Sequence, residues 1–231
     1  MTILKYETNM FNSLNVKIMK KVLMIAAMMI ATLSASAQNE VGQITLKPTV
    51  GMNIASITKV DYSKVRPGLI AGVEAEYGIA KNFGVTAGLF YSMQGVKEEY
   101  NRSEEILGVP VSIDTKATSK LDFLNIPIMA QYYIVKGLAV KAGAQIGFCV
   151  SKKYDAEISA SVSDYSDKEA GSGKFEDGVK SPVFSVPVGL SYEYQGFVLD
   201  ARYNLGVTKA LDNFDGRHSV FTFTLGYKFA L

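Results

Sequence analysis

The chain has 231 residues with 24 basic and 22 acidic side chains, 48% hydrophobic residues and one cysteine. So even a balance lacks the basic stripe that nucleic-acid binding requires, and Cys149 alone cannot form an internal disulfide. The length suits one domain behind a short leader.

Met19-Lys20-Lys21 precede an apolar run from Val22 to Leu33, and Ser34-Ala35-Ser36-Ala37 follow it. A basic start, a short apolar stretch and an A-x-A site describe a secretory signal peptide cleaved after Ala37. The run is shorter than the roughly twenty residues a membrane-spanning helix needs. The sequence thus predicts a leader and signal peptide over 1–37, with translation starting at Met19, and a single domain over 38–231. The leader carries Lys5, Lys17, Lys20 and Lys21 against Glu7, so the domain itself is close to neutral.

Eight segments of that domain alternate apolar and polar residues, the period of a strand. They are marked by Ile44 to Ile54, Leu69 to Ile79, Phe83 to Met93, Leu124 to Ile134, Leu138 to Val150, Phe184 to Tyr194, Phe197 to Val207, and Phe221 to Leu231. The last is the cleanest. Phe221, Phe223, Leu225, Tyr227, Phe229 and Leu231 share one face, and Thr222, Thr224, Gly226, Lys228 and Ala230 share the other. Such a strand at a chain terminus invites aggregation in water, but it suits the closing strand of a barrel in lipid.

The connections alternate in length. Lys81-Asn82, Lys136-Gly137 and Gln195-Gly196 are short turns, whereas Ser56–Arg66, Val96–Lys120, Lys152–Ser181 and Lys209–Ser219 read as long polar loops. Short periplasmic turns, longer outer loops and an even strand count are the pattern of an outer-membrane barrel. The expected fold is therefore all-β: an eight-stranded antiparallel transmembrane up-and-down barrel in the outer membrane, with both termini periplasmic. Tyr77, Phe83, Tyr132, Tyr192, Tyr194, Phe197, Tyr227 and Phe229 stand near the turn ends, where a periplasmic-side aromatic belt belongs.

The apolar faces hold no charge, so the charged faces must line the lumen. Lys47, Lys141, Arg202 and Lys228 can neutralise Glu74, Glu76, Glu193 and Asp200 there, four against four. An eight-stranded interior is just wide enough for side chains to fill, which predicts a lumen plugged by ion pairs rather than an open pore. Pro48, Pro127 and Pro187 interrupt strands without a ladder donor, which predicts bulges or lumen water beside them. Cys149 is expected on the lumen face as a small buried residue.

Candidate chemistry is sparse. His218, the one histidine, lies near Asp212, Asp215 and Ser219. A His-dependent lipid- or peptide-modifying barrel enzyme would rest on it, yet no nucleophile elbow is present. The favoured reading is a solvated loop histidine at the start of the last strand, with no catalytic residue. The carboxylates between Lys152 and Lys180 do not match an EF-hand, and interspersed lysines point to a solvated outer loop. No metal or cofactor is expected.

Phe123-Leu124-Asn125-Ile126-Pro127-Ile128 resembles the aromatic-Leu-Glu-Ile-Pro-Leu stretch of the PorT-like outer-membrane β-barrel proteins of the Bacteroidetes, with Asn125 in place of the acid. Leu89-Phe90-Tyr91-Ser92-Met93-Gln94-Gly95, Asp200-Ala201-Arg202-Tyr203 and Gly226-Tyr227-Lys228-Phe229 are similar to other strands of that family. The resemblance implies the barrel fold, an outer-membrane address and, as one alternative, an accessory part in protein secretion with secretion-machine partners. It carries no catalytic residue. The function expected is structural or interactive, presenting four outer loops, with outer-membrane lipid and the barrel insertion machinery as partners. A soluble lipocalin-like carrier would have its apolar face inside instead.

Overall fold

In the computed structural model the described residues are 40–58, 63–106, 109–162, 165–174, 179–211 and 214–231. The leader, its cleavage after Ala37 and the start at Met19 lie outside them. Ten β elements form: β1 (Ile44–Ile57), β2 (Ser63–Ala80), β3 (Phe83–Ile106), β4 (Val109–Val135), β5 (Leu138–Val162), β6 (Tyr165–Lys174), β7 (Val183–Tyr194), β8 (Phe197–Leu211), β9 (Phe214–Tyr227) and β10 (Phe229–Ala230). Eight of them make an antiparallel ring in the order β1-β2-β3-β4-β5-β7-β8-β9, and β1 pairs β9 to close it. This is the expected barrel.

The alternation explains which way the ring faces. Val50, Met52, Leu69, Leu89, Ile128, Leu190, Leu199 and Leu225 are exposed on the outside, while Lys47, Glu74, Lys141 and Asp200 are buried inside. A water-soluble carrier would reverse these faces. The short turns carry the expected chemistry, since Gln195 and Gly196 both have positive φ, 50° and 83°. Two successive positive φ values match the right-handed twist of a tight hairpin.

The outer segments differ from the expectation. Val96–Lys120 and Lys152–Ser181 are not loops for most of their length. β3 stays paired with β4 out to Ile106–Val109, and β4 with β5 out to Val111–Val162. β5 changes partner on the way: Leu138 to Gly147 pair with β7 in the ring, whereas Lys153 to Val162 pair with β6. A four-stranded sheet, β3-β4-β5-β6, therefore continues past the rim. At about 3.3 Å per residue, Val111–Leu121 alone adds roughly 35 Å of strand. Lys209–Ser219 is likewise mostly strand, at the outer ends of β8 and β9. These segments escaped the period-two reading because both of their faces meet water. No apolar alternation is then required of them.

The prolines do not produce bulges. Ala87–Ile128 and Phe90–Asn125 keep one register on either side of Pro127, and the two pairs between them are missing. Pro187 does the same between Ala142–Val188 and Gln145–Ser185. The missing donor leaves a local gap in the ladder without shifting it. Register shifts fall elsewhere, for example between Asp122 and Phe123. Pro48 lies at the closing seam: Leu46 pairs Phe229 and Thr49 pairs Gly226, and the two pairs between them are absent. That gap coincides with the break between β9 and β10, where the Lys228 N–H donates to the Gly196 carbonyl at 2.7 Å.

Candidate functional site: the filled lumen and the outer sheet

Every second residue of each ring strand points inward, so side chains from facing strands meet in layers. The middle layer joins Lys47, Glu74, Lys141, Asp200 and Arg202. Glu74 accepts from Lys141 Nζ at 2.5 Å and from Arg202 at 2.6 Å, and lies 2.8 Å from Lys47. Lys47 Nζ also donates to Asp200 at 2.5 Å. The lower layer, nearer the short turns, joins Lys228 to Glu193 and, at 3.5 Å, to Glu76. Tyr133 donates to Glu76 at 2.8 Å and accepts from Lys228 at 3.1 Å. All eight charged residues are at most 7% exposed.

The four-against-four balance is divided unequally. Three cations meet two carboxylates in the middle layer, and one cation meets two carboxylates in the lower one. A cavity of about 10 Å³ lies between the layers, lined by residues that include Thr45, Lys47, Glu76, Glu193 and Lys228. That is about the room of one water molecule. Tyr133 did not stand out in the sequence because, set between the outward Tyr132 and Ile134, its own ring makes the stretch read as apolar on both faces; position within the alternation is the signal that identifies it.

Above the ions the lumen becomes neutral and then apolar. The Arg202 guanidinium stands 5.3 Å from the centre of the Phe90 ring. Asn53 donates to Ser92 at 2.8 Å, and Asn204 to Thr222 at 3.2 Å. Leu121, Phe123 and Val179 form the cap, with Cys149 and Val183 packed against it. Cys149 is thus a half-buried lumen residue. His218 belongs to this cap and not to a solvated loop. It is buried in β9 and meets the Phe123 ring edge-on at 5.2 Å. β9 begins earlier than the sequence suggested, which draws His218 onto the inward face. Ser219 points the other way and hydrogen-bonds Tyr203 at 2.9 Å, while Asp212 lies outside the described residues. The structure therefore does not bring Ser219 to His218.

On the outside, Phe221, Phe223, Leu225 and Leu231 are exposed, and Tyr227 and Phe229 are partly covered. Tyr227 packs edge-on against Phe197 with ring centres 5.1 Å apart. At the other rim Tyr91 donates to Asp122 at 2.8 Å. Beyond it lies the charged outer sheet, where Lys120 pairs with Asp155 and Lys64 with Glu99. The Lys64 hydrogen bond holds the Glu99 carboxyl below the usual carboxylate range. A trough of about 420 Å³ crosses the four strands between Lys97–Glu99, Lys116–Thr118, Asp155–Glu157 and Ala170–Ser172. Among the described residues no three His, Cys, Asp or Glu side chains are grouped to hold a metal ion.

The family model described as outer membrane protein beta-barrel domain matches residues 36–212. The chain belongs to that family. The barrel accordingly sits in the lipid of an outer membrane. It is similar in fold to the attachment invasion locus protein Ail of Yersinia pestis, at 14% identity and a TM-score of 0.40, over 82% of this chain and 100% of that one. Neisserial surface protein A is similar at 13% identity and a TM-score of 0.42, over 85% and 99%. OprG of Pseudomonas aeruginosa is similar at 11% identity and a TM-score of 0.35, over 84% and 98%. No curated protein matches the sequence.

Proposed function

We propose that this barrel is a closed, non-catalytic outer-membrane platform that works through interactions of its β3-β4-β5-β6 sheet outside the cell. Both termini then lie in the periplasm, the mature chain begins after Ala37, and the insertion machinery engages the C-terminal face from Phe221 to Leu231. The observation that carries the reading is the contrast between the two parts of the strands. Inside the ring, charged and aromatic side chains fill the space, with a cavity of about 10 Å³ between the ion layers. Beyond the rim, β3, β4 and β5 run on in strands of 24, 27 and 25 residues. A filled lumen supports neither conduction nor substrate entry, whereas a long paired sheet supplies a stiff contact surface.

Planar-bilayer recordings and trypsin treatment of intact cells test this together. The expected result is no steady conductance and cleavage confined to residues beyond the outer rim, among them the segment from Lys97 to Lys174. A stable channel current would refute the closed platform, and so would phospholipid or peptide hydrolysis abolished by His218→Ala. A secretion accessory is the reading that the PorT-like segments favour. It requires a secretion-machine protein that co-purifies after crosslinking through the outer sheet or the periplasmic turns.

A further inference from the structure

Lys120, Lys153 and Lys174 stand side by side on three strands. Lys120 pairs with Lys153 across β4–β5, and Lys153 with Lys174 across β5–β6. Leu121 and Phe123 are buried in the lumen cap, so alternation turns Lys120 to the outside of the sheet. Like charges directly opposite each other destabilise a sheet. Here two such pairs are contiguous, and the acid on this face that pairs with them, Asp155, is taken by Lys120. A third like-charge pair, Lys64 opposite Lys97, lies on β2–β3, where Glu99 pairs with Lys64. Repulsion of this kind is relieved by a bound anion.

Height on the barrel identifies the anion. Immediately below the row lie Asp122, bonded to Tyr91, and the exposed Phe148 and Val150 of the lipid-facing band. The lysines therefore sit at the level of lipid headgroups. Immediately above them the 420 Å³ trough presents the carboxylates of Glu99, Asp155 and Glu157 and the hydroxyls of Thr118 and Ser172, alongside Lys97 and Lys116. Carboxylates repel phosphate, and both carboxylates and hydroxyls hydrogen-bond the hydroxyls of a sugar. Acyl chains below, phosphate at the row and sugar above describe one molecule.

We propose that Lys120, Lys153 and Lys174 bind the phosphate of a phosphorylated glycolipid whose sugar occupies the adjacent trough and whose acyl chains lie along Phe148 and Val150. The proposal rests on the outer sheet facing the outer leaflet. The test titrates the whole barrel, in phosphatidylcholine nanodiscs, with bis-phosphorylated lipid A, with its dephosphorylated form, with phosphatidylglycerol and with inorganic phosphate. The unchanged protein is expected to prefer the phosphorylated glycolipid over all three comparators. K120Q/K153Q/K174Q should weaken that binding by at least about tenfold, since each lysine loses a charge-assisted contact. K81Q/K136Q, at the opposite rim, should leave it unchanged. E157Q should weaken the glycolipid without altering phosphatidylglycerol binding. Equal affinity for phosphatidylglycerol, or for the dephosphorylated lipid, would overturn the assignment, as would an unaffected triple variant that still shows the heat-dependent gel shift of a closed barrel. Trypsin on intact cells reads the orientation separately: a sheet on the periplasmic side would escape cleavage while the binding data stood.

Discussion

Lys228→Met probes the lower lumen layer most directly. Lys228 contacts Glu193, lies 3.5 Å from Glu76 and donates to the Tyr133 hydroxyl at 3.1 Å. Its removal leaves two buried carboxylates with no cation in their layer. At the 3.5 Å separation from Glu76, the attraction is about 4–5 kcal/mol for an effective dielectric near 20. Breaking a buried pair by removing one partner costs about 3–5 kcal/mol, which agrees. Because the chain has no tryptophan, unfolding is better followed by gel mobility and circular dichroism than by indole emission. In urea titrations from phosphatidylcholine vesicles, Lys228→Met should lose about 3–5 kcal/mol, and adding Glu193→Gln should recover a large part of the loss. Methionine alone within about 0.5 kcal/mol of the unchanged protein, the range of a surface substitution, would mean that the layer is hydrated and that burial arithmetic does not apply to it.

Leu225→Arg places a charge on the lipid face near mid-strand and should cost about 2–4 kcal/mol, read as a shortfall in the heat-shifted gel band after refolding into vesicles. Gly51→Val should block closure at the β1–β9 seam, because a Cβ there would come within 2.0 Å of the Phe223 carbonyl oxygen. Gly171→Val is the matching control, with open space around it, and should fold normally in the same assay. His218→Phe should hold or raise the unfolding temperature, because the imidazole Nε2 is buried without a hydrogen-bond partner. Replacing such a group by an apolar one removes a desolvation penalty. A large loss in that variant would show that His218 makes a polar contact essential to the cap.

The ring was legible in the sequence because lipid imposes a simple rule on it. Every outward position from Phe221 to Leu231 must be apolar, every charge must go inward, and a period of two follows at once. The same rule makes Glu74 and Asp200 recognisable as inward residues before any partner is known. It could not assign partners, because Glu74 meets Lys47, Lys141 and Arg202 from three different strands, and contacts across a lumen depend on stagger. Where lipid ends, the rule ends. Ser112, Asp114 and Lys116 on one face alternate with Ile113, Thr115 and Ala117 on the other, a pattern that looks like a loop until pairing is seen. His218 was misplaced for the same reason: it lies just past Ser219, where the outward residues cease to be apolar.

The closing seam links the backbone gaps to the ion layers. Register puts Lys47 opposite Lys228 and Pro48 opposite Tyr227, where the ladder pairs are missing. A proline has no N–H to give, and the Lys228 N–H is turned to Gly196, so the backbone cannot hold the two edges together there. Two facing lysines would drive those edges apart if nothing else acted. Instead each ammonium reaches across the lumen, Lys47 to Glu74 on β2 and Asp200 on β8, Lys228 to Glu193 on β7 and Glu76 on β2. Both edges of the seam are thereby tied to strands on either side of it. Side-chain electrostatics supply closure at the one level where main-chain hydrogen bonds do not, and this gives a physical reason for a small barrel to carry eight buried charges despite their desolvation cost.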